Sequence, residues 1–171
     1  MIKIREFILQ DFTRVYPLAT LIWSLVWGYW YLFFAQIIGE QINHILKYYI
    51  VKPMLGDKTY PIIGSGARPK GAVDCGLMRS GTKKKCTSYG MPSGHSQSSL
   101  FFSTYMILTL MKNNSKNVFS YAAYIFFAIF IPWSRVYLKV HTIQQVIIGG
   151  MIGTLLGYIF FVLEPIIMRG F

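Results

Sequence analysis

Four long stretches of this chain are almost free of charge, and they decide which solvent it folds in. PLATLIWSLVWGYWYLFFAQIIG, opening at Pro17, runs without a charge until Glu40. QSSLFFSTYMILTLM (97–111), VFSYAAYIFFAIFIPW (118–133) and IQQVIIGGMIGTLLGYIFFVL (143–163) follow. Runs of this kind read as membrane spans. Charged residues make up 13% of the chain, against about 25% in a soluble domain. The first run follows Asp11, Arg14 and a proline, and no small-residue cleavage site ends it, so it reads as a retained span. The expected fold class is an all-α integral membrane helical bundle, with about four or five transmembrane helices. Its 171 residues form one domain.

Residues 1–16 mix apolar and charged positions, as a short interfacial helix does. The helical pattern from Pro17 continues through EQINHILKYYIV, with Ile42, Ile45, Leu46 and Tyr49 on one face. Taken straight, 17–51 would measure on the order of 50 Å, well beyond the hydrocarbon core. The stretch forms one long helix or two broken near Gly28. From Lys52 to Pro92 the composition turns to Gly, Pro, Lys and Ser, and a loop of this length is usually functional or disordered. Segments 97–111 and 118–133 fall short of the usual span of about 20 residues, which implies a thin bilayer or helix ends at the interface. Gly149, Gly153 and Gly157 repeat at four-residue spacing and let a neighbouring helix approach closely.

Counting sides places the loop 52–92 and the connection SRVYLKVHT at the same membrane face. Of three histidines, His95 and His141 reach that face, with Arg68 and Arg135; His44 reads as an interfacial residue. Lys47, Lys52, Lys58, Lys70, Arg79, Lys83, Lys84 and Lys85 add to a net charge of +11. Such a basic cluster attracts anionic headgroups or lines a phosphate site. Nucleic acid fits poorly, because the aromatics lie in the apolar runs and do not interleave with the basic residues. Ser93 and Gly94 precede a helix, where free N–H groups favour an anion. Histidine attacks phosphorus or protonates a leaving oxygen. No carboxylate pair is present to hold magnesium, so the expectation is a phosphohydrolase without metal or other cofactor.

PSGH at 92–95 and SR-x5-H at 134–141 resemble the second and third signatures of the type 2 phosphatidic acid phosphatase superfamily. The resemblance covers about residues 40 to 160. The family's first signature is Lys-x6-Arg-Pro. Arg68-Pro69 is present, but Pro61 stands where the lysine belongs. Lys47, Lys52 or Lys58 would take its place, and NHILK, resembling the family's helix end, favours Lys47. The family's aspartate four residues after the third-motif histidine is replaced by Gln145. YGMPSGHSQ and RVYLKVHTIQQV are similar to the dolichyl-diphosphatase branch, which also carries glutamine there.

This resemblance implies that His141 attacks phosphorus to form a phosphohistidine, while His95 protonates the departing oxygen. Gln145 would orient His141 by accepting from the imidazole N–H, with Asp57 or Asp74 able to supply the missing charge. Arg68, Arg135, Lys47, Ser93 and Gly94 would hold the phosphate. The implied substrates are lipid phosphates or diphosphates, polyprenyl diphosphates first and phosphatidic-acid-like lipids next. A lipid phosphotransferase and a non-catalytic headgroup-binding scaffold are the alternatives. Cys75 and Cys86 stand in the long loop as two free thiols or as a disulfide, the latter implying a lumenal or extracellular face. The basic loop argues for the cytosol, and the dolichyl-diphosphatase likeness for the endoplasmic reticulum lumen. Oligomeric state leaves no mark on the sequence.

Overall fold

The computed structural model describes residues 7–60, 64–73, 75 and 85–170. Among the described residues the frame is five long helices: α1 (Thr13–Val26), α2 (Trp30–Ile45), α3 (Gly94–Lys112), α4 (Val118–Tyr137) and α5 (Ile143–Ile167). A π-helical turn, Phe7–Phe12, leads into α1. Another, Leu46–Val51, carries α2 on into a single turn, Lys52–Leu55. Residues 1–6 of the expected interfacial segment lie outside the described residues.

The stretch 17–51 is two helices, and Gly28 is the reason. It stands at φ +75° just past α1, where a residue without Cβ enters the left-handed region freely. Tyr29 N–H then donates back to the Ser24 carbonyl (2.8 Å) and Gly28 N–H to that of Leu25 (3.3 Å). The start of the first span needs correction: α1 opens at Thr13 and holds Pro17 within it. The chain is already helical before Pro17, so the proline only withdraws one N–H near the helix start.

Two further boundaries differ. α3 begins at Gly94, and α4 runs past Pro132 through Ser134 and Arg135 to Tyr137. The apolar runs understate both helices because each takes in polar residues at the loop face. At 19 and 20 residues they reach about 30 Å, so no thin bilayer is needed. α4 and α5 are each long and apolar enough to cross a membrane. They turn Ile125, Phe126, Ile129, Ile147, Met151 and Leu155 outward. The fold is an all-α integral membrane bundle.

α3 is the central helix, touching α1, α2, α4 and α5, most extensively α5. Leu32 and Ala35 of α2 pack with Phe101, Phe102, Tyr105 and Met106 of α3 in the core. On α5 the three glycines meet backbone: a Cβ at Gly149 would overlap Ser93, at Gly153 Gln97, and at Gly157 Phe101. This is close small-residue packing, and it sets α5 beside the first turns of α3.

The long loop is tied down. β1 (Thr59–Tyr60) pairs antiparallel with β2 (Gly64–Ser65). Val73 bridges to Lys85, and Cys75 forms a disulfide with Cys86. Tyr89 Oη donates to the Gly56 carbonyl (2.6 Å) and Met91 N–H to that of Gly66 (3.0 Å). Gly153→Ala is expected to cost the ~1–3 kcal/mol of stability typical of an overpacked contact, read as a lower melting temperature in detergent. Met151→Ala, on the outward side, is expected to leave it nearly unchanged.

Candidate active site

The start of α1, the ends of α2 and α4, and the starts of α3 and α5 share one end of the bundle. A cavity of about 250 Å³ opens there, lined among others by Lys47, Arg68, Gly94, His95 and His141, with Pro17, Leu18 and Leu21 of α1 as its apolar wall.

His141 is placed by the way α4 stops. Lys139 takes a left-handed turn (φ 55°), so Lys139 N–H returns to the Val136 carbonyl (2.9 Å) and Val140 N–H to that of Arg135 (3.1 Å). His141 N–H also donates to the Arg135 carbonyl (3.2 Å). The SR-x5-H spacing is thus a helix end folded back on its last turn, with His141 against Arg135. Thr142 then caps α5 in a box with Gln145.

The same Gln145 fixes the imidazole. Its Nε2 donates to the Ala67 carbonyl (2.7 Å), so its Oε1 must be the atom facing His141 Nδ1 at 2.9 Å. His141 therefore donates from Nδ1. On the other side Arg68 Nη1 approaches Nε2 at 2.9 Å. Guanidinium only donates, so Nε2 holds a lone pair. Both contacts select one tautomer, with the basic nitrogen toward the cation. His141 is 3% exposed. Burial first, then the charges of Arg68 and Arg135, hold its pKa well below the ordinary histidine range; the Gln145 bond opposes them.

Arg68 is anchored as well. Nε donates to the Ser88 carbonyl (2.8 Å), Nη2 to Ser88 Oγ (2.9 Å), and Nη1 also to the Val140 carbonyl (2.8 Å). Burial pushes its pKa down to about 10, so it stays charged at neutral pH.

His95 has the opposite tautomer. Its Nε2 lies 2.9 Å from the Arg14 carbonyl, which can only accept, so Nε2 carries the proton. Ser93 has a structural part: its hydroxyl accepts from Ser96 Oγ (3.0 Å) and its N–H donates to the Gln145 carbonyl (3.0 Å). The cavity wall is Gly94 beside it, where a Cβ would press on Asn43 Oδ1 at 3.3 Å.

Of the candidate lysines, Lys47 is buried and lines the cavity, while Lys52 and Lys58 are exposed. Asp57 is exposed, and Asp74, Arg79, Lys83 and Lys84 lie outside the described residues. His44 is exposed against Tyr48. Arg135 is 1% exposed, and its Nε finds no hydrogen-bond partner among the described residues.

Three residues escaped the motif reading. Glu40 lines the cavity and accepts from Ser98 Oγ. Asn43 lines it too, and its Nδ2 donates to Gln97 Oε1 (2.8 Å). Arg14 lies buried on α1. A signal existed: Gln36, Glu40, Asn43 and Lys47 follow helical spacing on an apolar helix, and ionisable groups in spans are rarely idle.

The PAP2 superfamily model matches residues 28–169. Dolichyldiphosphatase 1 of Rhinolophus ferrumequinum is 30% identical over 150 residues, covering 78% of this chain and 53% of the relative. Dolichyldiphosphatase of Saccharomyces cerevisiae is 34% identical, covering 78% and 51%. Dolichyldiphosphatase 1 of Homo sapiens is 39% identical over 88 residues, covering 44% and 37%. The chain thus spans about half the length, or less, of these relatives. No solved structure matches it.

Histidine-resolved NMR in detergent tests the tautomer and charge. His141 is expected to remain neutral at pH 6.5, near the ordinary histidine pKa. Gln145→Glu brings a negative charge against Nδ1, which favours imidazolium, so the titration is expected to move upward. The unfolded chain takes up this proton first, so acidification below about 6.5 also costs the fold stability.

Proposed function

The chain belongs to the PAP2 superfamily, and from that membership and the geometry above we propose that it is a membrane phosphatase hydrolysing polyprenyl diphosphates or related lipid phosphates. The observation that carries this reading is the paired contact on His141. Gln145 Oε1 accepts from His141 Nδ1–H while Arg68 faces Nε2, as a nucleophile beside a phosphate-binding cation requires. The Pro17, Leu18 and Leu21 wall supports a lipid substrate, since apolar surface runs directly into the cationic cavity. The relatives are named for dolichyl diphosphate, which supports the diphosphate class. A larger apolar cavity of about 760 Å³, lined in part by Leu100, Pro132, Val146 and Gly150, shares no lining residue with the phosphate cavity.

The chemistry runs in two steps. His141 Nε2 gives its lone pair to the terminal phosphorus, and the bond from phosphorus to the leaving oxygen breaks with its electron pair on that oxygen. His95, which takes up a proton at Nδ1 once bound phosphate offsets the cations around it, donates that proton to the leaving oxygen. Water then attacks the phosphohistidine, losing a proton to His95, and free phosphate leaves with His141 restored. Lys47, Arg68 and Arg135 bind the phosphoryl oxygens, together with the Gly94 and His95 N–H groups that Ser93 holds in place. Positioning and charge carry most of such a transfer. Gln145 sets the tautomer without adding charge.

The test is phosphate release from farnesyl diphosphate by purified protein in detergent with EDTA. Activity is expected, with His141→Ala reducing it to background and His95→Ala costing roughly 10²–10⁴-fold. Release that survives His141→Ala rejects the mechanism; tight binding of the lipid with no release rejects the enzyme.

The Cys75–Cys86 bridge supports placing this face in an oxidising, non-cytosolic compartment. In sealed vesicles of native orientation, maleimide is expected to label neither cysteine until an external reductant is added and the vesicles are opened. Labelling of both without reduction overturns that placement.

A further inference from the structure

Under the proposed function the substrate class includes diphosphates, and the site then has two phosphates to hold. Lys47 and Arg68 face the cavity, but four of the five Arg68 N–H donors are held by Ser88, Val140 and His141, which leaves one, at Nη2, for phosphate. Arg14, on α1, is unlike it. The residue is 4% exposed, yet Nη1 is buried with no hydrogen-bond partner among the described residues. Leaving a charged donor unpaired in the interior is costly, and at a site built for an anion such an orphan marks where the anion goes.

Three relations tie Arg14 to this end of the bundle, although it is not itself one of the residues lining the cavity. Pro17, Leu18 and Leu21, which wall the cavity, lie three, four and seven residues after Arg14, so all four share one face of α1. The Arg14 carbonyl receives the His95 Nε2–H, which puts its backbone beside the proposed proton donor. Arg14 is also close enough to Arg135 for their charges to repel, and Arg135 Nε is likewise an unpartnered buried donor. Two like charges held together in the interior, both short of acceptors, are brought into balance by an anion between or beside them.

We propose that Arg14 binds the second, lipid-attached phosphate of a diphosphate and gives this chain its preference for diphosphates over monophosphates. It is a specificity residue supplied by α1, upstream of the 28–169 stretch that matches the superfamily. His141 attacks the terminal phosphate, and Arg14 stabilises the charge that develops on the departing one.

The experiment compares kcat/KM for farnesyl diphosphate and farnesyl phosphate in the wild type, Arg14→Gln and Arg14→Lys. Glutamine leaves the backbone carbonyl that holds His95 in place, so only the guanidinium is removed. The ratio of diphosphate to monophosphate is expected to fall at least 30-fold in Arg14→Gln and to recover in part in Arg14→Lys. A ratio unchanged within threefold, even with both activities reduced, assigns Arg14 a merely structural role and overturns the proposal. A parallel measurement is independent of turnover. Inorganic pyrophosphate is expected to raise the wild-type melting temperature more than inorganic phosphate does, and Arg14→Gln to erase that difference. If the wild type turns over neither lipid, the proposed function fails, and the pyrophosphate comparison still decides Arg14. Equal protection by the two anions, or a difference that persists in Arg14→Gln, rejects it.

Discussion

Gln145 is the joint on which the site depends. Its side chain holds His141 Nδ1 and the Ala67 carbonyl, and its Oε1 also accepts from Thr142 N–H (3.3 Å). Its backbone carbonyl takes the Ser93 N–H. One residue thus links the loop that carries Arg68, the start of α3, the cap of α5 and the candidate nucleophile. An aspartate could accept from the imidazole, but it has no N–H for the Ala67 carbonyl. Glutamine gives up a counter-charge for the imidazolium and gains a fixed loop. The neighbouring Gly90 fits the same trade, since a Cβ there would run into the Gln145 amide.

That joint works only because α5 can reach α3. Gly149 sits one turn beyond Gln145 and lies against the Ser93 backbone. The small-residue stripe is therefore part of the site as well as of the bundle: it sets how far Gln145 stands from the end of the PSGH segment. Ser93 shows the same coupling from the other side. Its hydroxyl caps α3 by accepting from Ser96, which holds the backbone N–H groups of that first turn in place.

The apolar runs and the small set of polar punctuation made the bundle and the shared face of both histidines legible, while the stretch 17–51 left one helix or two open until the φ +75° of Gly28 decided it. Helix ends were less legible. Arg135 belongs to the last turn of α4, although SRVYLKVHT reads as a connection, because the turn depends on a lysine adopting φ 55°. Propensity disfavours that conformation and only tertiary contacts select it. Arg14 was hidden for a similar reason: beside an apparent interfacial segment its charge looked like a surface feature. Only the helix packing shows it to be buried.

The cations that make the cavity attractive to an anion also explain the state of its histidine. In the free site, burial and the Arg68 and Arg135 charges keep His141 neutral, which leaves its Nε2 lone pair available. A bound phosphate offsets those same charges, and the electrostatic penalty on placing a proton nearby falls. Under the proposed function attack takes place with substrate bound, so the Gln145 and Arg68 contacts are what keep His141 Nε2 unprotonated there, while the offset field eases protonation of His95, the donor to the leaving oxygen. A carboxylate in place of Gln145 would blunt this contrast by stabilising imidazolium at all times. Under the proposed function the glutamine joint and the excess of buried cations act together: the first fixes the tautomer of His141, and the second leaves a positive field for the substrate's charge to offset.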